Sequence, residues 1–567
     1  MLCLFMAGLA TASAVTLEVA VRPTFNGDPL RLDSLSFQNA GGETLSVTRL
    51  SYLVSGLALQ REDGGWMELA DRFGWMDAAK QRTALRIDDV PPGQYRALRF
   101  HLGPDARTNA ADAAQWPAGH PLNTSLDGLY WSMQGGYIFL AMEGRYRSVT
   151  GELKGFSYHL ARDPNRVRIS LAAPLDLAHD ATVLIDLDLA ALLNAPRPLS
   201  FAKDGAATHS RDADPVAAAL VANLPGAFHV RQVVSSAPSI MRRSPVQPLY
   251  LPETVTPYRF TLSRTFPIPA LPRDNPLLEE RVILGDKLFH EPLLSRDGTI
   301  SCSSCHDARA AFSDPRRFSL GVDARAGTRH AMPLFNLAWK TRFFWDGRVA
   351  SLREQALVPI QDPSEMDETP GHVVAKLSAS ADYQRLFKAA FGTSEISAEK
   401  LGLAIENYLL TLTAFDAPFD RAMSGKGTLS AEARRGFELF MTEYEPRTGQ
   451  RGADCFHCHG GPLFSDNEFH NNGLEPNPAD TGRHRVTGVE SDRYKFATPS
   501  LRNLIRTAPY MHDGRFTTLE QVVAHYSTGI HRGDTLDPNL AKHPAGGLQL
   551  SQDEQRALVA FLKTLSE

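Results

Sequence analysis

The feature that most restricts this chain is a five-residue pattern that occurs twice, as Cys302-Ser303-Ser304-Cys305-His306 and as Cys455-Phe456-His457-Cys458-His459. In each copy two thiols are separated by two residues, and an imidazole follows directly. That spacing lets both thiols bond to the two vinyl groups of one porphyrin while the imidazole lies beneath the iron, so it reads as covalent attachment of a c-type haem. A single copy is also compatible with zinc binding or dithiol chemistry. The chain has 5 cysteines, and the one outside the two motifs is Cys3, so no thiols are left for a disulfide framework. Two covalently bound haem c groups are therefore expected, held by Cys302, Cys305 and Cys455, Cys458, with His306 and His459 as iron ligands. The repetition, over about 150 residues, predicts two similar subdomains.

Residues 1–14 are apolar and end in Ala12-Ser13-Ala14, the small-residue form that a signal peptidase accepts, although no basic residue precedes the apolar run. They are read as a signal peptide, and the expected destination is the periplasm. Nothing downstream approaches the ~20 apolar residues needed to cross a bilayer, so no membrane span is expected. A formal net charge of -5 and a pI near 6.4 give no basic field for nucleic acid.

At 567 residues the chain exceeds what one core supports. Its first part alternates with period two, in Val15-Leu17-Val19-Val21, in Leu98 with Phe100, in Val167-Ile169-Leu171 and in Val183-Ile185-Leu187-Leu189. With Gly, Asp and Pro between the runs, residues 15–234 read as an antiparallel β-sandwich-like domain. Residues 235–274 carry Pro238, Pro245, Pro248, Pro252, Pro257, Pro267, Pro269 and Pro272 and read as an extended linker. Beyond it the period becomes helical, as in Leu401, Ala404, Ile405, Tyr408, Leu409 and Leu412 and again over 551–565. The fold class is thus a β domain followed by a mainly α-helical di-haem region, divided into subdomains 275–430 and 431–567.

The residues around the motifs carry a more specific signal. Leu284-Gly285 with Leu288-Phe289, Leu334-Phe335-Asn336, Phe344-Trp345-Asp346-Gly347-Arg348, Glu354-Gln355-Ala356, Glu365-Met366 and Pro509-Tyr510-Met511-His512-Asp513-Gly514 resemble the bacterial di-haem cytochrome c peroxidase and MauG superfamily. The resemblance covers roughly 275–567. It implies that His306 is proximal ligand to the haem that meets hydrogen peroxide, that Glu365 is the distal acid/base and that Gln355 positions the peroxide. A carboxyl there would take a proton from the near oxygen and return it to the leaving one. Trp345 would relay electrons between the haems. Tyr526 stands where the peroxidases carry methionine and MauG tyrosine as sixth ligand of the second haem, with Met511 as the alternative. The loop at Gly321-Val322 lacks the histidine that caps the first haem in some members, which implies an open iron. The family's interhaem calcium would use Thr507 and Pro509 carbonyls, with His330 where asparagine is expected; imidazole suits such a hard cation poorly.

In the first part, Gly128-Leu129-Tyr130-Trp131, Gly136-Tyr137-Ile138-Phe139, Glu143-Gly144, Phe156-Ser157-Tyr158-His159-Leu160 and Thr208-His209-Ser210-Arg211-Asp212 resemble the MbnP-like copper-binding family. Its members are commonly paired with a MauG-like partner, MbnH, that converts an MbnP tryptophan to kynurenine. The resemblance makes Trp131 the leading substrate residue, with Trp66, Trp75 and Trp116 as others, and His159, His209 and His101 candidate copper ligands. Met133 stands where the family often has a second tryptophan. Three functions follow for comparison. The first is a peroxide-driven di-haem oxidoreductase that stores oxidising equivalents over both haems and oxidises a tryptophan of its own β domain. The second is a cytochrome c peroxidase fed by a small donor cytochrome. The third is a non-enzymatic copper-binding and electron-transfer protein.

Overall fold

The structure is a computed structural model and describes residues 14–567 apart from 125–127, 132–135, 149, 212, 236–248, 264 and 446–448. The expected leader, Met133, Pro238, Pro245 and Pro248 therefore lie outside the described residues, with Ala14 alone of the leader inside. The chain divides into two compact units. One takes residues up to Asp112 and from Leu129 to Ser244, and the other takes Ala113–Gly128 and Pro245–Glu567. The short piece Ala113–Gly128, inside the span read as the β domain, thus groups with the helical unit, where the Asn123 side chain donates to Ile268 O at 3.2 Å.

The β unit is built from two sheets around one apolar core. Period-two alternation works as the sequence suggests: Val15–Phe25, Val167–Asp176 and Ala181–Asp188 each bury every second residue over most of their length. The larger sheet runs in the order Val167–Asp176, Gln94–Leu102, Thr44–Arg61, Ile138–Arg147, Leu153–Ala161, Ala207–Thr208. Most pairs are antiparallel, as expected, but two are parallel. Val15–Phe25 pairs in parallel with Ala181–Asp188, from Leu17 opposite Ala181 to Thr24 opposite Asp188, and Ala207–Thr208 joins Leu153–Ala161 in parallel. Alternation reports which face is buried but not strand direction, and a parallel pair needs the long crossover that the intervening chain supplies.

The helical unit repeats one plan. In the first half Glu279–Phe289 precedes the Cys302–Ser304 turn and packs on Ala398–Thr411; in the second Ala431–Phe440 precedes the Cys455–His457 turn and packs on Gln552–Lys563. Both crossings depend on glycine. A Cβ on Gly285 would lie 2.1 Å from the Ala404 carbonyl oxygen, and one on Gly436 would lie 1.8 Å from that of Ala557. The proline-studded segment is extended where described, but it is a docked strap and not a free linker. Phe266 is buried edge-on against Trp339, whose indole N–H donates to Pro267 O at 2.7 Å, and buried Arg281 donates to Leu249 O and Tyr250 O at 2.8 and 2.9 Å. Among the described residues no helix is long and apolar enough to cross a membrane.

Candidate active site

Each Cys-x-x-Cys-His segment folds as a tight turn. In the first, the Ser301 N–H donates to Ser304 Oγ at 3.0 Å, and the Cys305 and His306 amides both donate to Cys302 O, at 3.2 and 3.0 Å. His306 Nδ1 donates to Phe312 O at 2.9 Å, which leaves Nε2 as the lone-pair nitrogen. The second motif does the same, with the His459 amide on Cys455 O at 2.9 Å and Nδ1 on Phe464 O at 3.1 Å. Burial lowers the pKa of both histidines, keeping them in the neutral form that ligates metal. The four thiols are unbridged. Burial pushes Cys302 up to about 12 and Cys458 up to about 11, the reverse of the low pKa that a dithiol nucleophile needs. Unbridged thiols beside a neutral, carbonyl-oriented imidazole fit thioether-bound haem at both places.

Glu365 stands after the Leu352–Gln361 helix, in a turn closed by its own N–H donating to Asp362 O at 3.0 Å. Its carbonyl accepts from Val322 N at 2.8 Å, and a Cβ on Gly321 would lie 2.3 Å from that oxygen. The Gly321-Val322 loop therefore buttresses Glu365. Burial, reinforced by the Asp362 charge and opposed by Arg348, raises the Glu365 carboxyl to about 7. Its charge is felt at both Cys302 and Cys305, which places it beside the first motif. Gln355 is part-buried on the preceding helix.

Trp345 lies at a joint between the two halves that has its own internal symmetry. Residues 336–348 and 503–515 share their turn geometry at both ends. Asn336 and Asn503 are both left-handed, at φ 56° and 58°, and Gly347 and Gly514 have φ 68° and 62°. Phe343 N donates to Val349 O at 3.0 Å as Tyr510 N does to Phe516 O at 2.7 Å. In this register Trp345 corresponds to His512, and their rings meet edge-on at 6.4 Å. The contacts are reciprocal: Trp345 O accepts from Ala497 N and His512 O from His330 N, both at 2.8 Å. The Trp345 indole N–H donates to His330 O at 2.8 Å, and His512 stacks on Phe496 at 3.6 Å. His330 is held by neighbouring protein groups. Its Nε2 pairs with Ser313 Oγ at 3.1 Å and its Nδ1 faces Arg317 O at 3.4 Å, so the imidazole is held by protein groups where the resemblance calls for an oxygen donor. The Thr507 backbone also bonds toward this ring, while Pro509 follows it at the start of the Tyr510 turn.

At the second motif both sixth-ligand candidates converge on one side chain. Asn472 Nδ2 lies 3.4 Å from the Tyr526 hydroxyl and 3.6 Å from Met511 Sδ. Burial pushes the Tyr526 phenol up to about 12, beside Cys455, Cys458 and His470. Met511 sits on a left-handed backbone, φ 76°. Behind Cys455, Asp454 and Glu443 are buried with Lys542 between them, 3.1 Å from Asp454 Oδ2 and paired to Glu443; His457 and His543 complete the network at 2.9 Å from Glu443 and 2.8 Å from Asp454. The single Lys542 ammonium is shared by both carboxylates, which makes the cluster an ion-pair network.

In the β unit, parallel pairing of Tyr158 with Thr208 carries the next residues, His159 and His209, side by side. His159 Nε2 and Glu143 Oε1 are 2.9 Å apart, and Glu143 is also held by Arg49 at 3.0 Å. Donation to Glu143 leaves His159 Nδ1 as an acceptor, and it lies 3.2 Å from His209 Nε2. The Trp131 indole stacks on His209, with centroids 5.4 Å apart and planes at 24°, and lies 6.1 Å from the His159 ring. His101 does not join them. Its strand Gln94–Leu102 is three places from Leu153–Ala161 in the sheet, ~14 Å at the usual strand spacing. It stands among Arg166, Arg99 and Arg168, whose charges help to lower its pKa and repel a cation. Of the other tryptophans, Trp75 donates to Ser51 Oγ at 2.9 Å, Trp66 lies under Arg99 and Trp116 stacks on His120.

Known proteins resemble both parts of the chain. The model of the family described as di-haem cytochrome c peroxidase matches residues 279–428, and the MbnP model matches 14–210. The methylamine utilization protein MauG of Methylorubrum extorquens is 40% identical over 297 residues, spanning 52% of this chain and 80% of that protein. This chain belongs to the di-haem cytochrome c peroxidase and MauG family. Cytochrome c551 peroxidase of Nitrosomonas europaea is 34% identical over 312 residues, covering 53% of this chain and 83% of its own. A crystal structure described as a MauG-like protein associated with microbial copper homeostasis is 34% identical and covers 55% of this chain and 96% of that one, with a TM-score of 0.49.

The chain is thus a di-haem oxidoreductase carrying an MbnP-like β domain. Two features of this di-haem centre escaped the sequence reading: His512 as the structural counterpart of Trp345, and the buried Glu443–Lys542–Asp454 network. The recurrence of Asp-Gly-Arg at 346–348 and 513–515 was the available signal for the first. The second joins residues far apart in the chain, and no local pattern announces it.

Proposed function

We propose that this di-haem enzyme uses hydrogen peroxide to oxidise Trp131 of its own β domain, beside a copper site formed by His159 Nδ1 and His209 Nε2. The observation that carries this reading is the stacking of the Trp131 indole on His209, next to paired imidazoles whose second-sphere partner is Glu143. Imidazole nitrogens suit copper, and an electron-rich ring against its ligand is in place to be altered as the site matures. A haem held by Cys302, Cys305 and His306 would supply the redox chemistry that cleaves the O–O bond. Glu365 takes the proton from the near oxygen and returns it to the leaving one, Gln355 orients the peroxide, and Trp345 conducts electrons across the joint. Tyr526 would help His459 to hold the second haem, with Met511 as the alternative. In the balanced reaction two hydrogen peroxide molecules accept four electrons, two oxygen atoms are added across the broken indole C2–C3 bond and two waters form. Hydrolysis then releases C2 as formate and leaves kynurenine.

Peptide mapping by mass spectrometry after peroxide treatment of the copper-free holoprotein tests this. The Trp131 peptide should exchange one carbon for one oxygen, and Glu365→Gln should abolish the change; an unaltered Trp131 rejects the assignment.

The second reading, a cytochrome c peroxidase drawing on a small donor cytochrome, is favoured by the proximity of Met511 to Asn472 beside Tyr526. Fast peroxide turnover with reduced cytochrome c and an intact Trp131 would establish it instead. The copper-carrier reading requires that Glu365→Gln leave the response to peroxide unchanged.

A further inference from the structure

Lys340 closes the short Leu337–Trp339 turn on the segment leading to Trp345. The turn is pinned from two sides. The Trp339 indole donates to Pro267 O at 2.7 Å, and Asn467 Nδ2 donates to Trp339 O at 3.2 Å. Asn467 belongs to the loop leaving the second haem motif, where the Asp466 amide donates to Cys458 O at 2.9 Å. The backbone of Lys340 is therefore fixed against the second haem attachment.

Its ammonium is unusual in lacking an acid. The side chain is part-buried, and among the described residues no carboxylate, carbonyl or hydroxyl bonds it. Burial alone holds its pKa down to about 8. Other shielded lysines of this unit are all partnered: Lys376 with Glu368 at 2.9 Å and Ser295 O at 2.7 Å, Lys400 with Glu395 at 3.3 Å, Lys542 with Asp454 at 3.1 Å. Arg348, nearby in sequence, is by contrast occupied by Asp346 at 3.1 Å. Shielding a cation from water costs on the order of several kcal/mol unless an anion joins it.

We propose that Lys340 is the cationic anchor of a haem propionate at the joint between the two haem subdomains. The inference rests on haem attachment at the Cys-x-x-Cys-His motifs and is independent of the role of Trp131. A fixed positive charge against a propionate raises the reduction potential of that haem, so Lys340 also sets the difference between the two haems.

The test uses Lys340→Gln and Lys340→Arg holoproteins, each checked for two haems by pyridine haemochrome. Spectroelectrochemistry and the propionate bending band in resonance Raman spectra are the readouts. In Lys340→Gln one of the two midpoint potentials should fall and the band should shift. In Lys340→Arg the potential should stay near that of the parent while the band still moves, because the donor geometry changes. Added phosphate should leave the parent unaffected; a potential that follows phosphate concentration would assign Lys340 to a soluble anion and overturn the proposal. Unmoved potentials and an unmoved band in Lys340→Gln overturn it too. Should that variant fail to load both haems, an unmoved band in Lys340→Arg is sufficient to reject the contact.

Discussion

The role proposed for Glu365 depends on where the turn at 362–367 puts it. Burial raises the carboxyl to about 7, above the ordinary 4.5. It accepts a proton only when ionised, so the peroxide reaction should quicken as pH rises through about 7 and level off above it. Glu365→Gln should remove that limb and slow the reaction ~10²–10⁴-fold, as stopped-flow absorbance would show. The same shift has a stability sign. Between 4.5 and about 7 the unfolded chain releases this proton while the folded chain keeps it, so folding loses stability over that window as pH rises, and Glu365→Gln should be relatively more stable above it. At the second haem, Tyr526→Met should raise the reduction potential, since a thioether favours reduced iron, and should speed turnover with reduced cytochrome c. Short motifs singled out Glu365, Trp345 and Tyr526 as candidates in the sequence. Their environments were not legible there: the elevation of Glu365 comes from burial against a loop more than forty residues upstream. His101 shows the limit from the other side, since a histidine in a strand says nothing of its place in the sheet.

Elements were easier to read than their partners. Alternation located Val15–Phe25 and Ala181–Asp188, and helical period located Ala398–Thr411 and Gln552–Lys563. Neither revealed that the two strands pair in parallel or that Gly285 and Gly436 set the helix crossings, because both facts depend on contacts distant in sequence. The prolines kept the described residues of 249–274 out of helix but did not disclose that Arg281 and Trp339 fasten them down. Around the second haem motif, the buried carboxylates of Glu443 and Asp454 depend on the one ammonium of Lys542. Lys542→Met should destabilise the holoprotein by ~3–5 kcal/mol, as removal of one member of a buried ion pair does. Urea unfolding followed at the Soret band would measure it, and a loss well under 1 kcal/mol would mean that His457 and His543 already compensate.

For the whole molecule, the joining of a di-haem enzyme to an MbnP-like domain places catalyst and proposed substrate on one chain. Tethering fixes the effective concentration of Trp131 irrespective of how dilute the protein is. The most direct test is therefore the fraction of Trp131 converted by a fixed ratio of hydrogen peroxide across a hundredfold dilution of the purified holoprotein, read by mass spectrometry of its peptide. The account predicts conversion that stays constant with dilution. Conversion that falls with dilution, or a Trp131 that never reacts, would contradict it.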